Sequence, residues 1–289
     1  MPSSEHQDLA MGGQAVIEGV MMRDKTHYAV AVRKKNGKIA KKITKINSVT
    51  KTYPVLGWPV IRGFVFLIEN LVIGINALNY SIGESMGHKE KLGKKEMAFT
   101  LLFSLVLAIL LFIAAPFFIT TLISKDKGLW FNLIDGIIRL VIFFIYMISI
   151  SFMKDLKILF QYHGAEHKTV DAYEHKKKLM PQNIAKYSRF HPRCGTSFLL
   201  IVMIVSILVF SLIVSNNFWI RLGSRIILIP VIAGISYEIL KLSAKFEHNF
   251  IMKLITLPGL LLQHITTREP SKQQIEVAIE AVNMIVKNK

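Results

Sequence analysis

Acidic residues and cysteine are scarce in this chain, and each scarcity closes off a class of protein. Only 19 Asp and Glu stand against 36 Lys and Arg in 289 residues, a formal net charge of +17. So basic a balance fits an anionic partner, and membrane headgroups account for it better than direct nucleic-acid binding does. The single cysteine, Cys194, excludes an intrachain disulfide. No secretory leader is expected, because the first ten residues are polar and no short apolar region follows. Charged residues make up only 19% of the chain, and hydrophobic residues reach 52% with a mean hydropathy of +0.42. These values exceed those of a soluble domain and point to an integral membrane protein.

Four runs approach or exceed the roughly 20 apolar residues that span a bilayer: Met97 to Ile123, Trp130 to Met153, Phe198 to Val214 and Arg221 to Leu240. A fifth, Val55 to Tyr80, is interrupted by Arg62, Glu69, Asn70 and Asn76. Arg62, Glu69 and Asn76 recur every seven residues, so on a helix they form one polar stripe. Asp135 and Arg139, one turn apart within the second run, read as an intramembrane ion pair.

Short cytoplasmic loops hold the excess of positive charge. Of the 36 Lys and Arg, 10 precede Val55, 4 lie in Ser81 to Glu96, 9 in Lys154 to Ser197 and 7 from Lys241 onward. All four regions fall on one side only if Val55 to Tyr80 does not cross. The expected fold is therefore a mainly α membrane protein. It has about four transmembrane helices, one in-plane or re-entrant amphipathic helix and a small cytoplasmic β-hairpin unit, with both termini in the cytoplasm. Trp58, Trp130 and Trp219 fall at segment ends, where indoles favour the headgroup region. The expected units are 1–54, a basic β-rich unit; 55–80, the in-plane helix; 97–240, the bundle with a cytoplasmic loop at 154–197; and 241–289, interfacial and amphipathic helices.

Within the first unit, His27 to Ile46 consists of two alternating runs joined at Asn36-Gly37, the strongest short hairpin signal. At the other end, Ile275, Ala278, Ile279, Val282, Ile285 and Val286 mark an amphipathic helix expected to pack on that unit.

The chemistry concentrates in the 154–197 loop. On a helix beginning near Gln161, His163 and His167 lie one turn apart and can face one ion, with Glu166 beside them. This is the H-x-x-E-H order in which a His pair binds zinc and a Glu activates water. Candidates for a third ligand are Glu174, His191, Cys194, Glu238, Glu247 and His248. His191 and Cys194 stand where the chain re-enters the membrane, and a thiolate is a strong zinc ligand.

Four segments carry a resemblance: Gly12-Gly13-Gln14-Ala15-Val16-Ile17-Glu18-Gly19-Val20-Met21-Met22-Arg23, Tyr162 to Lys168 (YHGAEHK), His191 to Ser197 (HPRCGTS) and Ile265 to Pro270 (ITTREP). They resemble the signatures of an uncharacterised bacterial membrane-protein family described as predicted metal-dependent enzymes. The resemblance implies that Gln14, Glu18, Arg23, Thr266, Thr267 and Glu269 join the His and Cys positions in one cytoplasmic site. By their own chemistry Gly12, Gly13 and Gly19 are expected to permit a turn, and Thr196 or Ser197 can N-cap the third crossing.

Two functions follow as expectations. One is a metal-dependent hydrolase at the cytoplasmic face, acting on a membrane-associated peptide or lipid. Its zinc is held by His163 and His167, completed by His191, Cys194 or Glu238, with Glu166 as general base. The other is a non-enzymatic accessory of membrane-protein biogenesis, whose basic unit docks on lipid, a membrane protein or the ribosome. A transporter is disfavoured, since few ionisable residues pair near the midplane.

Overall fold

The computed structural model describes residues 11–87, 93–125, 128–246 and 249–288. The amino-terminal unit is larger than a hairpin. Strands β1 (Gly12–Val16), β2 (Gly19–Arg23), β3 (His27–Arg33) and β4 (Ile39–Lys45) form an antiparallel meander in chain order. The Asn36-Gly37 signal marks the β3–β4 turn, where Gly37 takes φ +81°. There the Lys34 amide donates to the Lys38 carbonyl at 2.9 Å, and the Gly37 amide donates back to Lys34 at 2.9 Å.

Because side chains alternate across a strand, the sheet buries both faces. Val20, Met22, Ala29 and Ala31 face one way, and Val16, Met21, Val30 and Val32 the other. The second face receives helix α1 (Ile61–Ser85), which inserts Ile73 and Ala77. The polar stripe expected on α1 finds separate partners. Arg62 pairs with Glu238, and the Glu69 carboxylate accepts from Ser48 Oγ at 2.9 Å and from the Val49 amide at 2.8 Å.

Among the described residues, three helices are long and apolar enough to cross a membrane: α1, α2 (Lys94–Ile123, with a π turn at Leu110–Ala114) and α3 (Leu129–Ser151). A fourth span is counted if α6 (Phe218–Ile227) and α7 (Ile229–Lys245), bent by 47°, act as one. Two shorter apolar helices complete the bundle, α5 (Gly195–Ser211) and α8 (Phe250–Thr266). The third expected crossing, Phe198 to Val214, falls on α5, which starts three residues earlier, at Gly195, and at 17 residues is shorter than the candidate spans. The cap is Cys194, whose Sγ accepts from the Thr196 amide, rather than Thr196 or Ser197.

The His motif sits on α4 (Lys154–Glu174), which starts seven residues before Gln161 because Lys154 follows directly on α3. Helix α9 (Lys272–Lys287) opens on a Ser271/Gln274 capping box. It packs with α4 on the first sheet face through Ile275, Ala278, Ile279, Val282 and Ile285, while Val286 stays exposed.

Candidate metal centre

His163 and His167 follow from helical spacing: four residues apart on α4, their rings lie 4.4 Å apart. Cys194 arrives from the start of α5. One donor atom from each of the three lies within 4.8 Å of the others, and this group could hold a metal ion. Their other contacts fix which atoms point inward. His163 Nδ1 lies 2.8 Å from the Thr266 carbonyl oxygen, and His167 Nδ1 lies 2.6 Å from that of Arg189. A carbonyl only accepts, so in each neutral ring the proton sits on Nδ1 and the lone pair on Nε2. His163 Nε2 meets Cys194 Sγ at 3.3 Å.

Electrostatics favours the metal-ready forms. Burial pushes the His167 imidazole down, holding it neutral. Burial pushes the Cys194 thiol up, but hydrogen bonding with His167 and with the Thr196 hydroxyl and amide outweighs it, so the net shift is downward. Its place at a helix N-terminus acts in the same direction.

Glu166 lies next to this group yet turns to the sheet. Its carboxylate accepts the Gly13 amide of β1, while Oε2 is buried with no partner. Burial pushes its carboxyl up to about 8. Gly13 is required there, since a Cβ would stand 2.8 Å from the Glu166 carboxylate and 2.7 Å from the Met21 carbonyl; Gly12 has open space. Gly164 has the same role on α4, where a Cβ would stand 2.1 Å from the Arg268 carbonyl oxygen.

The other candidates are distributed around the group. His191 lies one ring away from His167, at 5.7 Å, but both its nitrogens are engaged: Nδ1 accepts the Arg193 amide at 3.3 Å and Nε2 faces Glu174 at 3.7 Å. Glu174 also pairs with Arg193. Burial opposes its charge, but His191 and Arg193 outweigh that and hold its carboxyl below the usual range. Glu238 stands apart, in the bundle, with both oxygens on Arg62 at 2.6 and 2.5 Å. Gln14 and Arg23 lie on the opposite face of the sheet, because the pleat turns them toward α1: Gln14 fills the space at Gly74, and Arg23 bonds Asn70. Glu18, in the β1–β2 turn, accepts from Tyr162 Oη at 3.1 Å. Glu269 reaches buried Lys168 at 2.8 Å. Glu247 and His248 lie outside the described residues.

Three supporting residues carried no motif signal strong enough to single them out. Arg189 supplies the carbonyl for His167 and bonds the Thr267 carbonyl through its guanidinium. Gln263 clasps the His191 backbone at both N–H and C=O, each at 2.8 Å. Its only sequence signal is an amide directly after the apolar run Leu260 to Leu262. Lys168, buried on the Ala185 carbonyl at 3.0 Å, follows the motif directly. A cleft of about 460 Å³ opens elsewhere, between Glu18, Arg33 to Lys35, Ser85 and Asp155, and none of the three donors lines it.

Residues 58–288 match the family described as "Protein of unknown function (DUF1385)". The chain belongs to this family. It is 36% identical over 300 residues to the uncharacterized protein YqhQ of Bacillus subtilis (strain 168), covering 96% of this chain and 92% of that one. No solved structure matches. The match leaves β1 to β4 outside the family region and contains all three donors.

Proposed function

We propose that His163, His167 and Cys194 bind one divalent ion, zinc, and that the protein is a metal-dependent hydrolase working on a membrane-associated substrate. The observation that carries the metal is the anchoring of both imidazoles through Nδ1 to backbone carbonyls, the support that metal-ligating histidines characteristically use. Two neutral imidazoles and a thiolate form a donor set that suits zinc and suits magnesium or calcium poorly. Zinc with three protein ligands keeps a fourth position for water and supplies a Lewis acid and a nucleophile at neutral pH. Glu166 is the general acid and base: a buried carboxyl pushed up to about 8 can take or give a proton near neutrality.

The charge distribution favours this end of the bundle, with both termini, at the cytoplasmic face of a bacterial plasma membrane. One further observation supports embedding. Helix α2 exposes Phe99, Leu102, Phe103, Leu105 and Leu110, a surface suited to lipid. Along α1, Asn70 to Glu84 docks on the sheet, which favours an in-plane helix over a crossing. Exposed Lys35 and Lys38 on the hairpin would meet anionic headgroups.

A second reading, a structural ion in an accessory of membrane-protein assembly, is favoured by the burial of Cys194 and His167 and by the cleft's lying elsewhere. In that reading the ion staples α4 to the start of α5. Elemental analysis of the purified protein and of His163→Ala and His167→Ala decides the shared claim: one ion per chain in the parent and none in the variants. Metal-free parent refutes both readings. Cobalt substitution then separates them, because added azide shifts the spectrum of an ion with an open position and leaves a closed site unchanged.

A further inference from the structure

At the far end of the bundle, three arginines surround a single carboxylate. Asp135 and Arg139 form the ion pair expected from their spacing, at 2.6 Å. Arg225 of α6 joins it at 3.5 Å from Asp135 and 3.0 Å from Asn132 Oδ1, and Arg139 also donates to Ser206 Oγ at 2.8 Å. Arg221, one turn before Arg225, completes the group. All four charged side chains are buried, with relative exposures of 1% for Asp135 and Arg225, 4% for Arg221 and 6% for Arg139. Guanidinium groups remain protonated, so the cluster carries an excess of two positive charges among apolar helices, where uncompensated charge is costly.

The hydrogen bonds are out of balance in the same direction. Among the described residues, Arg221 Nε and Nη1, Arg225 Nε and Arg139 Nε are buried donors without an acceptor. Asp135 Oδ1, also without a partner, has lone pairs for at most two of them. Rings of Phe117, Phe131 and Phe210 lie over these guanidiniums, the nearest 4.4 Å from Arg221. Aromatic faces attract cations, but they carry no charge and accept no strong hydrogen bond.

We propose that Arg139, Arg221 and Arg225 bind one phosphate group, a buried anion site at the end of the bundle opposite the His/Cys donors. Ser206 lies twelve residues along α5 from Cys194, about 18 Å of helix. Planar guanidiniums match phosphate oxygens in pairs, and a phosphate brings both the missing charge and the missing acceptors. The group is supplied by an anionic phospholipid or by free phosphate. The site is independent of the metal reading, since it shares no residue with it.

The full-length protein in detergent is stripped of lipid and tested by native mass spectrometry and thermal unfolding against two probes, phosphatidylglycerol and inorganic phosphate, with phosphatidylcholine as control. Preferential binding of phosphatidylglycerol identifies the lipid, and stabilisation by inorganic phosphate identifies the free anion. In either case Arg221→Gln weakens binding about ten- to a hundredfold, the scale of one charge-assisted contact. Asp135→Asn, which removes the competing negative charge, strengthens it. Arg221 is chosen because its side chain makes no hydrogen bond or ion pair to another helix among the described residues and contacts only the faces of Phe117 and Phe131. Equal binding by parent and Arg221→Gln, weakening by a folded Asp135→Asn, or no binding of either probe overturns the proposal.

Discussion

Replacing Gly164 by alanine tests whether the close approach of α4 to the Thr266–Pro270 segment is what assembles the donors. The added Cβ would stand 2.1 Å from the Arg268 carbonyl oxygen, and real Cβ contacts essentially never fall below 3.0 Å, so the two segments must part by about 0.9 Å. The obstacle is backbone that is tied at both ends of the contact. The Arg268 amide donates to the Phe160 carbonyl at 2.9 Å, and the Thr266 carbonyl holds His163 Nδ1 at 2.8 Å. Overpacking of this kind costs about 1–3 kcal/mol. Loss of the carbonyl behind a ligating histidine costs about 10- to 100-fold in metal affinity. Gly164→Ala is therefore expected to lower Tm and to weaken zinc together, measured by thermal unfolding in detergent and by competition with a chromogenic chelator. Gly223→Ala is the matched control. Position 223 lies inside α6 with no atom within 4 Å of the added Cβ, so removal of a helical glycine should stabilise by up to about 1 kcal/mol. If the two variants behave alike in both assays, the packing argument is refuted.

Glu166 makes stability depend on pH in the metal-free protein. Burial pushes its carboxyl from 4.5 up to about 8, so its contribution is fully present below 4.5 and is lost as pH rises through 8. Glu166→Gln should nearly match the parent at pH 5 and exceed it at pH 8 by a few kcal/mol at most, since each unit is worth about 1.4 kcal/mol. A gap that stays constant across that range counts against the assignment. Membrane orientation is read with single cysteines, because native Cys194 is buried. An impermeant thiol reagent outside the cell should label Asn216→Cys and spare Lys38→Cys, both exposed positions, and the reverse pattern inverts the orientation. Cys194→Ser should retain the α5 cap, since a hydroxyl accepts the Thr196 amide, while lowering metal affinity; unchanged affinity removes Cys194 from the donor set.

Features set by local periodicity were legible in the chain. Apolar runs marked α2, α3 and α5, Asn36-Gly37 marked the β3–β4 turn, and the spacing of Ile275 to Ile285 marked the face that α9 buries, whereas the run Arg221 to Leu240, expected as one crossing, is broken into α6 and α7 by a 47° bend. The i,i+4 spacing placed His163 with His167 and Asp135 with Arg139. The partners of these groups were not legible, because they come from distant segments. Arg62 and Glu238 are 176 residues apart in sequence, and their pairing, which takes Glu238 away from the His group, depends on how α1 crosses α7. The pleat of β1 and β2 decides that Gly13 meets Glu166 while Gln14 and Arg23 face α1. Two more arginines joining Asp135 required the α6 bend to bring them inward.

The sequence by itself determined a mainly helical chain with several strongly apolar segments and the helix face that carries the two histidines. These depend on hydrophobic content and on periods of two and 3.6 residues, which are properties of neighbours along the chain. Only the tertiary structure decided which atoms converge: Cys194 on His163, backbone carbonyls behind both imidazoles, and three arginines around one carboxylate. Such contacts join residues separated by up to more than a hundred positions. They are fixed by where two backbones can approach, as at Gly13 and Gly164, and no local pattern records that distance.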